Sequence, residues 1–303
     1  MSNMSRANFR KQLQDGLNTV FGMEHKRHAE QWREIFIVQS SNKAYEEDVL
    51  MYGLGGGRTK EEGVGVQYDS GGEAWSARYV HETIALAFAI TEEAVEDGLY
   101  GDLGAKFSRS MARGMQHTKE VKGANILNNG FSTSYLGGDG KPLFATDHPL
   151  AGGGTWSNKL GTPADLAEAS IEDILIQISQ AKDDRGIPIA MKAKKMVVHP
   201  NNTFNAHRLM NSSLRPGTSD NDPNAMKDMG MIPGGVTVNQ RLTDPNAWFI
   251  ITDCADGLKH MVRKAIQRGM EGDFETGNAR FKARERYVFG WTDPRGAYGS
   301  EGA

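Results

Sequence analysis

GVGVQYDSGGEAWSARYV, residues 63–80, alternates apolar and polar side chains on both sides of the turn-forming Asp69-Ser70-Gly71-Gly72. Val64, Val66 and Tyr68 before the turn, with Trp75, Ala77 and Tyr79 after it, predict a long β-hairpin. Its aromatic residues need cover, and little nearby chain is apolar enough to give it. The hairpin therefore reads as an element built to lie on something else, such as another subunit.

Upstream, GLGGGRTK (residues 53–60) invites comparison with a phosphate loop. That loop needs lysine directly after its last glycine, whereas Gly57 is followed by Arg58-Thr59-Lys60, so a flexible hinge at the root of the hairpin is expected. GDLGAK (101–106) has the wrong glycine spacing for a dinucleotide fingerprint. Further upstream, residues 1–33 carry Arg6, Arg10, Lys11, Lys26, Arg27 and Arg33 against Asp15, Glu24 and Glu30, a net +3. This segment reads as an arm, part of it a short amphipathic helix with Phe9, Leu13, Leu17 and Val20 on a face that needs a partner.

Downstream, Leu103, Phe107, Met111, Met115, Val121, Ala124 and Leu127 recur at helical spacing. They predict a helix from about Leu99 to Asn129, roughly 45 Å long at 1.5 Å per residue. Gly104, Gly114 and Gly123 weaken it and permit bends or close packing. Next, Thr162-Pro163-Ala164-Asp165 predicts the start of a helix through Leu166, Ile171, Ile174, Leu175 and Ile178, ended by Gly186 and Pro188. MVVHP (196–200) and WFIITDC (248–254) read as core strands, with a short helix over 204–210 between them. Residues 211–247 read as mostly loop, and Ala279–Trp291 as a strand that returns late in the sequence.

Composition narrows the function classes. Glycine accounts for 36 of 303 residues and hydrophobic residues for 38%, which fits modest cores joined by long turns. The formal charge of -3 carries no global basic signal for nucleic acid or an anionic membrane. No apolar run is long enough to span a membrane, and polar Asn3, Arg6, Asn8 and Arg10 stand where a signal peptide needs apolar residues, so a soluble, intracellular product is expected. Cys254, the single cysteine, excludes an intrachain disulfide and reads as a small buried hydrophobe. The eight histidines are scattered without an H-E-x-x-H pattern, and no metal or cofactor is expected.

FATDHPLAGGGTWSNKL, residues 144–160, holds the one pair that suggests catalysis, Asp147 and His148. A hydrolase reading would have Asp147 orient His148 as a general base. Adjacent side chains point in different directions, and no G-x-S-x-G elbow supplies a nucleophile. A His-Pro turn held by local hydrogen bonds is the expectation, with no catalytic residue.

The order of elements is more informative than any one residue. KEEGVGVQYDSGGEAWSARYVHETIALAFAITEEAVEDGLY (60–100), ANILNNGF, DGKPLFATDHPLAGGGTWSNKL, NDPNA and the terminal RYVFGWTDPRGAYG together resemble the major capsid proteins of tailed bacteriophages, most nearly the major head subunit of Mu-like phages and prophages. The resemblance covers roughly residues 3–300. It implies an α+β, HK97-like fold: an N-terminal arm (1–48), an extended loop (49–85), a peripheral domain (86–189) with a spine helix (99–129), an axial domain (190–275) and a return to the peripheral domain (276–303). It also implies a non-catalytic subunit that self-assembles as pentamers and hexamers into an icosahedral shell around double-stranded DNA contacted non-specifically. A portal protein, a separate scaffolding protein and a decoration protein are the implied partners, with no membrane. The implied location is the virion capsid, after synthesis in the bacterial cytoplasm. A minor head or tail protein is the alternative structural reading.

Overall fold

The computed structural model describes residues 6–91, 93, 100–215, 222–273 and 277–303. Residues 1–5 of the expected arm, Leu99 at the expected helix start, and 216–221 of the loop-rich stretch lie outside them, as do the side chains of Phe9 and Leu13. The described helices are α1 (Arg6–Arg27), α2 (Tyr100–Asn128), α3 (Glu168–Ser179), α4 (Thr203–Asn211) and the single turn α5 (Ala225–Asp228). The described strands are β1 (Ile37–Ser40), β2 (Tyr45–Tyr52), β3 (Gly72–Val80), β4 (Glu82–Ile90), β5 (His148–Pro149), β6 (Thr155–Trp156), β7 (Ala193–Val198), β8 (Val236–Val238), β9 (Trp248–Thr252), β10 (Leu258–Gly272), β11 (Ala279–Trp291) and β12 (Ala297–Ser300).

Two four-stranded sheets organise the chain, one in the order β1-β10-β11-β4 and the other β12-β9-β7-β8. Strand β11 alternates through Phe281, Ala283, Tyr287 and Phe289, all buried on one face, as a half-covered antiparallel strand must. Along that face, Phe281 and Ala283 meet Met111, Ala112 and Met115 of α2 and Leu17 and Phe21 of α1. Leu17 and Phe21 of α1 thus find their partners inside their own chain, and α1 is a 22-residue helix rather than the short one expected. In the second sheet, Met196, Val198, Trp248 and Ile250 pack under Ile171, Ile174 and Ile178 of α3 and Ala206 and Leu209 of α4. Val197, Phe249 and Ile251 point the other way and join Phe144, Tyr287 and Phe289 in a core shared by both sheets. Neighbouring residues of β7 and β9 therefore serve two cores, which is why both strands read as continuous apolar runs.

The hairpin differs from its expected register. Its first strand is Tyr45–Tyr52, paired antiparallel from Tyr45↔Val80 to Tyr52↔Gly72, and Val64, Val66 and Tyr68 sit in the long connection between the strands. Glycines flank and separate the two valines, and their backbone freedom opposes strand formation there. Tyr68 is 99% exposed.

Helix α3 begins five residues later than the Thr162 cap implies, with Ala167 as its N-cap. Ser300 Oγ and Trp248 Nε1 both donate to the Ala164 carbonyl, at 2.7 and 3.0 Å, and hold that segment out of the helix. Ser170 Oγ accepts from the Ala167 N–H at 3.0 Å and closes the first turn. The helix ends at Ser179, before Gly186 and Pro188, because residues 181–189 fold into their own turn, with Asp183 N–H donating to Ile187 O at 2.8 Å. Within 211–247, expected as loop, Asn224 Oδ1 caps α5 and β8 adds a parallel edge to β7.

Gly123 shows what the glycines of α2 do: a Cβ there would lie 3.1 Å from Trp32 Cβ and 3.4 Å from Phe289 Cε1. The glycine lets the helix seat against the 3-10 turn Gln31–Glu34 and against β11.

Candidate functional site: a structural clasp and an exposed hairpin

Asp147 and His148 diverge, as neighbours in an extended segment do. The Asp147 side chain is 54% exposed and pairs with Lys141, whose hydrogen bond holds its carboxyl below the usual range. His148 is fully buried, and its partners are Asp139, with Oδ2 at 2.6 Å from Nδ1, and Asn158, with Oδ1 at 3.1 Å from Nε2.

Asn158 decides what His148 can do. Its Nδ2 donates to the carbonyls of Leu143 (2.6 Å), Pro294 (3.1 Å) and Ala297 (3.1 Å), and its Oδ1 accepts from Ala145 N–H (3.0 Å). Those contacts orient the amide with its oxygen toward Nε2, while the Asp139 carboxyl faces Nδ1. Both ring nitrogens are thus occupied by buried partners, and neither faces a substrate from which it could take a proton. Trp156 stacks on the His148 ring (centroids 4.8 Å apart, 25° between planes), and the Arg295 guanidinium lies 4.6 Å over the indole. Arg295 in turn reaches Asp293 and Asp184, each at 3.3 Å. The segment 144–160 is thus a clasp that fastens β5 and β6 to the chain's end. Asp139 and Asn158 were missed from sequence because neither stands beside the histidine in the chain. The only thiol, Cys254, has its pKa pushed up to about 12 by burial and is no thiolate nucleophile.

The second feature is the hairpin β2–β3, whose root is fixed firmly. Tyr79 Oη donates to the Trp291 carbonyl and accepts from its N–H, and a Cβ on Gly290 would lie 2.4 Å from the Tyr79 ring. Asp48 accepts from Lys259 Nζ (2.7 Å) and Thr292 Oγ1 (2.7 Å), and Asp256 adds a second carboxylate to Lys259 at 3.0 Å. Burial raises the Asp48 pKa, but the bonds from Lys259 and Thr292 outweigh it and leave it lowered. Farther out, Asp69 accepts from the Gly55 N–H (2.7 Å) and meets Arg185 at 3.5 Å, tying the long connection to the turn after α3. Beyond these anchors Met51, Leu54, Val64 and Val66 join Tyr68 in facing outward, as does Val80 at the root. That much exposed apolar surface on a rigidly rooted element marks a contact surface.

The sequence profile of a family described as phage capsid protein matches residues 76–300, about three quarters of the chain. A search of curated proteins returned no match. Among solved structures, the capsid of cyanophage P-SCSP1u superposes with a TM-score of 0.58 at 11% identity, covering 91% of this chain and 89% of that one. The encapsulin of the holo-SrpI complex from Synechococcus elongatus PCC 7942 gives 0.55 at 7% identity, covering 91% and 89%. The procapsid of bacteriophage JBD30 gives 0.53 at 15% identity, covering 98% of this chain and 76% of that one. At such identities the likeness is one of fold, the HK97-like α+β arrangement expected from the sequence.

Proposed function

The chain belongs to the phage capsid protein family, so its role is structural rather than catalytic, and from that premise we propose that it is the major head subunit, closing an icosahedral shell of pentamers and hexamers around double-stranded DNA. The supporting observation is the rooted hairpin with its outward apolar residues. In a lone subunit this surface stays in water, whereas a ring of copies covers it through one repeated heterologous contact. Each such contact is weak, and many together make a durable shell.

In this reading residues 1–48 form the arm, 49–85 the extended loop, 86–189 and 276–303 the peripheral domain, and 190–275 the axial domain. The affiliation with Mu-like head subunits rests on the stretches quoted from the sequence and belongs to the same proposal. So do a portal, a separate scaffolding protein and a decoration protein as partners, and synthesis in the bacterial cytoplasm. The fold serves encapsulin as well as phage capsids, and the family match favours the phage head.

Imaging the purified protein by electron microscopy at rising concentration tests the reading. Capsomer rings or closed shells are expected, and a compact monomer at every concentration would refute it. A copy number of a few per virion would instead assign it to a minor head or tail position.

A further inference from the structure

Helix α2 carries Lys106, Arg109, Arg113 and His117 on one exposed stripe, at spacings of three and four residues. No acid occurs between Leu103 and Lys119. Lys106 and Arg109 make no ion pair with any described residue. The stripe runs into a cavity of about 380 Å3 between the end of α1, α2 and the Gln240–Arg241 turn, where Arg113, His117, Arg241 and His28 converge.

The acids around this cavity, Glu24, Glu30 and Glu120, are engaged, Glu30 with Arg33 at 2.8 Å. Glu120 accepts the Gln31 and Trp32 N–H groups at 2.7 and 3.1 Å, one on each carboxylate oxygen. Glu24 is spread over Arg27, His28 and Arg113 at 3.9, 3.5 and 3.8 Å. Gln116, a cavity-lining residue 5% exposed, donates through Nε2 to the His28 carbonyl at 3.0 Å, while its buried Oε1 has no partner. A buried acceptor left open beside converging cations suits an occupant that brings anionic oxygens together with a polar hydrogen, as a nucleotide unit does.

We propose that this stripe and cavity hold the phosphodiester backbone of nucleic acid. Arg113 and Arg241 take a phosphate in the cavity, and Lys106 and Arg109 take its neighbours along the helix. From Lys106 to His117 the helix rises about 16 Å, enough to track several phosphates. The inference rests on the shell reading and orients it, with the α1–α2 side facing the packaged genome.

A second basic group, Lys264, Lys282, Arg284 and Arg286, competes for this role. It stands on the other face of β10 and β11, because Phe281 and Ala283 point toward α1 and α2 and the residues alternating with them point away. Those cations form a flat ladder beside Ala85 and Ala87 of β4. The α2 stripe ends instead in a concave seat that withdraws a phosphate from water and strengthens each charge-assisted bond.

The test is fluorescence anisotropy of a labelled duplex of about 20 base pairs, titrated with the full chain across a salt series. Lys106→Gln/Arg109→Gln/Arg113→Gln should weaken binding at least tenfold and flatten the slope of log affinity against log salt by about 2 to 3. Lys282→Gln/Arg284→Gln should leave both unchanged. Retained affinity and slope in the triple variant, or loss confined to the strand variant, would overturn the assignment. Arg109→Gln alone, at an exposed position, keeps the test valid if the triple variant misfolds and should flatten the slope by about 1. Inorganic phosphate at matched ionic strength should not displace the duplex; complete displacement would mark a free-phosphate site and overturn the proposal. Imaging of the same preparations separates the two readings: shells with unaltered DNA binding in the triple variant sink only this inference, whereas absence of shells alongside duplex binding that the triple variant loses sinks the shell reading and its orientation but leaves the phosphate site standing.

Discussion

Asn158→Ala is the substitution with the largest local consequence. In the native fold the amide serves five partners: the carbonyls of Leu143, Pro294 and Ala297, the Ala145 N–H and the His148 ring. Asn158 and His148 are both wholly buried, so water cannot take over these roles without opening the clasp. Alanine leaves a void and strips partners from two donors and three acceptors. Each buried unsatisfied group costs about 1–3 kcal/mol, and relaxation recovers part of that, so a loss of about 5 kcal/mol is expected. Asn158→Asp keeps the shape and still fails, because a carboxylate would face three carbonyl oxygens. Urea unfolding of unassembled subunits, followed by tryptophan fluorescence, reads the change, and Trp156 stacked on His148 reports the clasp itself. A loss under about 1 kcal/mol for Asn158→Ala would refute the view of Asn158 as the hub.

Gly290→Ala places a methyl where the Tyr79 ring lies and should loosen the hairpin root, read as faster proteolytic cleavage within residues 53–71 while the remaining core persists. Glu285 and Lys119 form a buried ion pair at 2.5 Å, so Glu285→Ala should cost about 3–5 kcal/mol by stranding the ammonium, and adding Lys119→Met should recover most of it in the same urea assay. Burial lowers the His260 pKa to about 3, with Lys119 and Arg33 adding repulsion. Because the unfolded chain takes up that proton first, near pH 6.5, stability should fall as pH drops from 6.5 toward 3, by at most about 4 kcal/mol from this group. His260→Phe should flatten the melting temperature against pH across that window.

The long helix and the late strand were legible in sequence because each is a single run with one strong period. Α helix from about Leu99 to Asn129 was expected and Tyr100–Asn128 is observed, while Ala279–Trp291 matches end for end. Strand β10 was not read, since its alternation is broken by register shifts between Val262 and Gln267 that move Arg268 to the buried face beside Phe21. The hairpin was recognised with the wrong first strand. Val64 and Val66 alternate as well as Val49 and Met51 do, and pairing with β3 rather than local pattern chooses between them.

By itself, then, the sequence determined the α+β class, the spine-like helix, the returning strand and the resemblance to phage capsid proteins, because all of these reside in local periodicity and in the order of segments along the chain. Only the tertiary structure decided that His148 answers to Asp139 and Asn158 rather than to Asp147, that α1 folds back onto α2, and that Arg113 and Arg241 meet at one cavity. Those pairings join residues far apart in the chain or on divergent faces. Hydrogen-bond geometry and close packing select them once the sheets have brought the segments together.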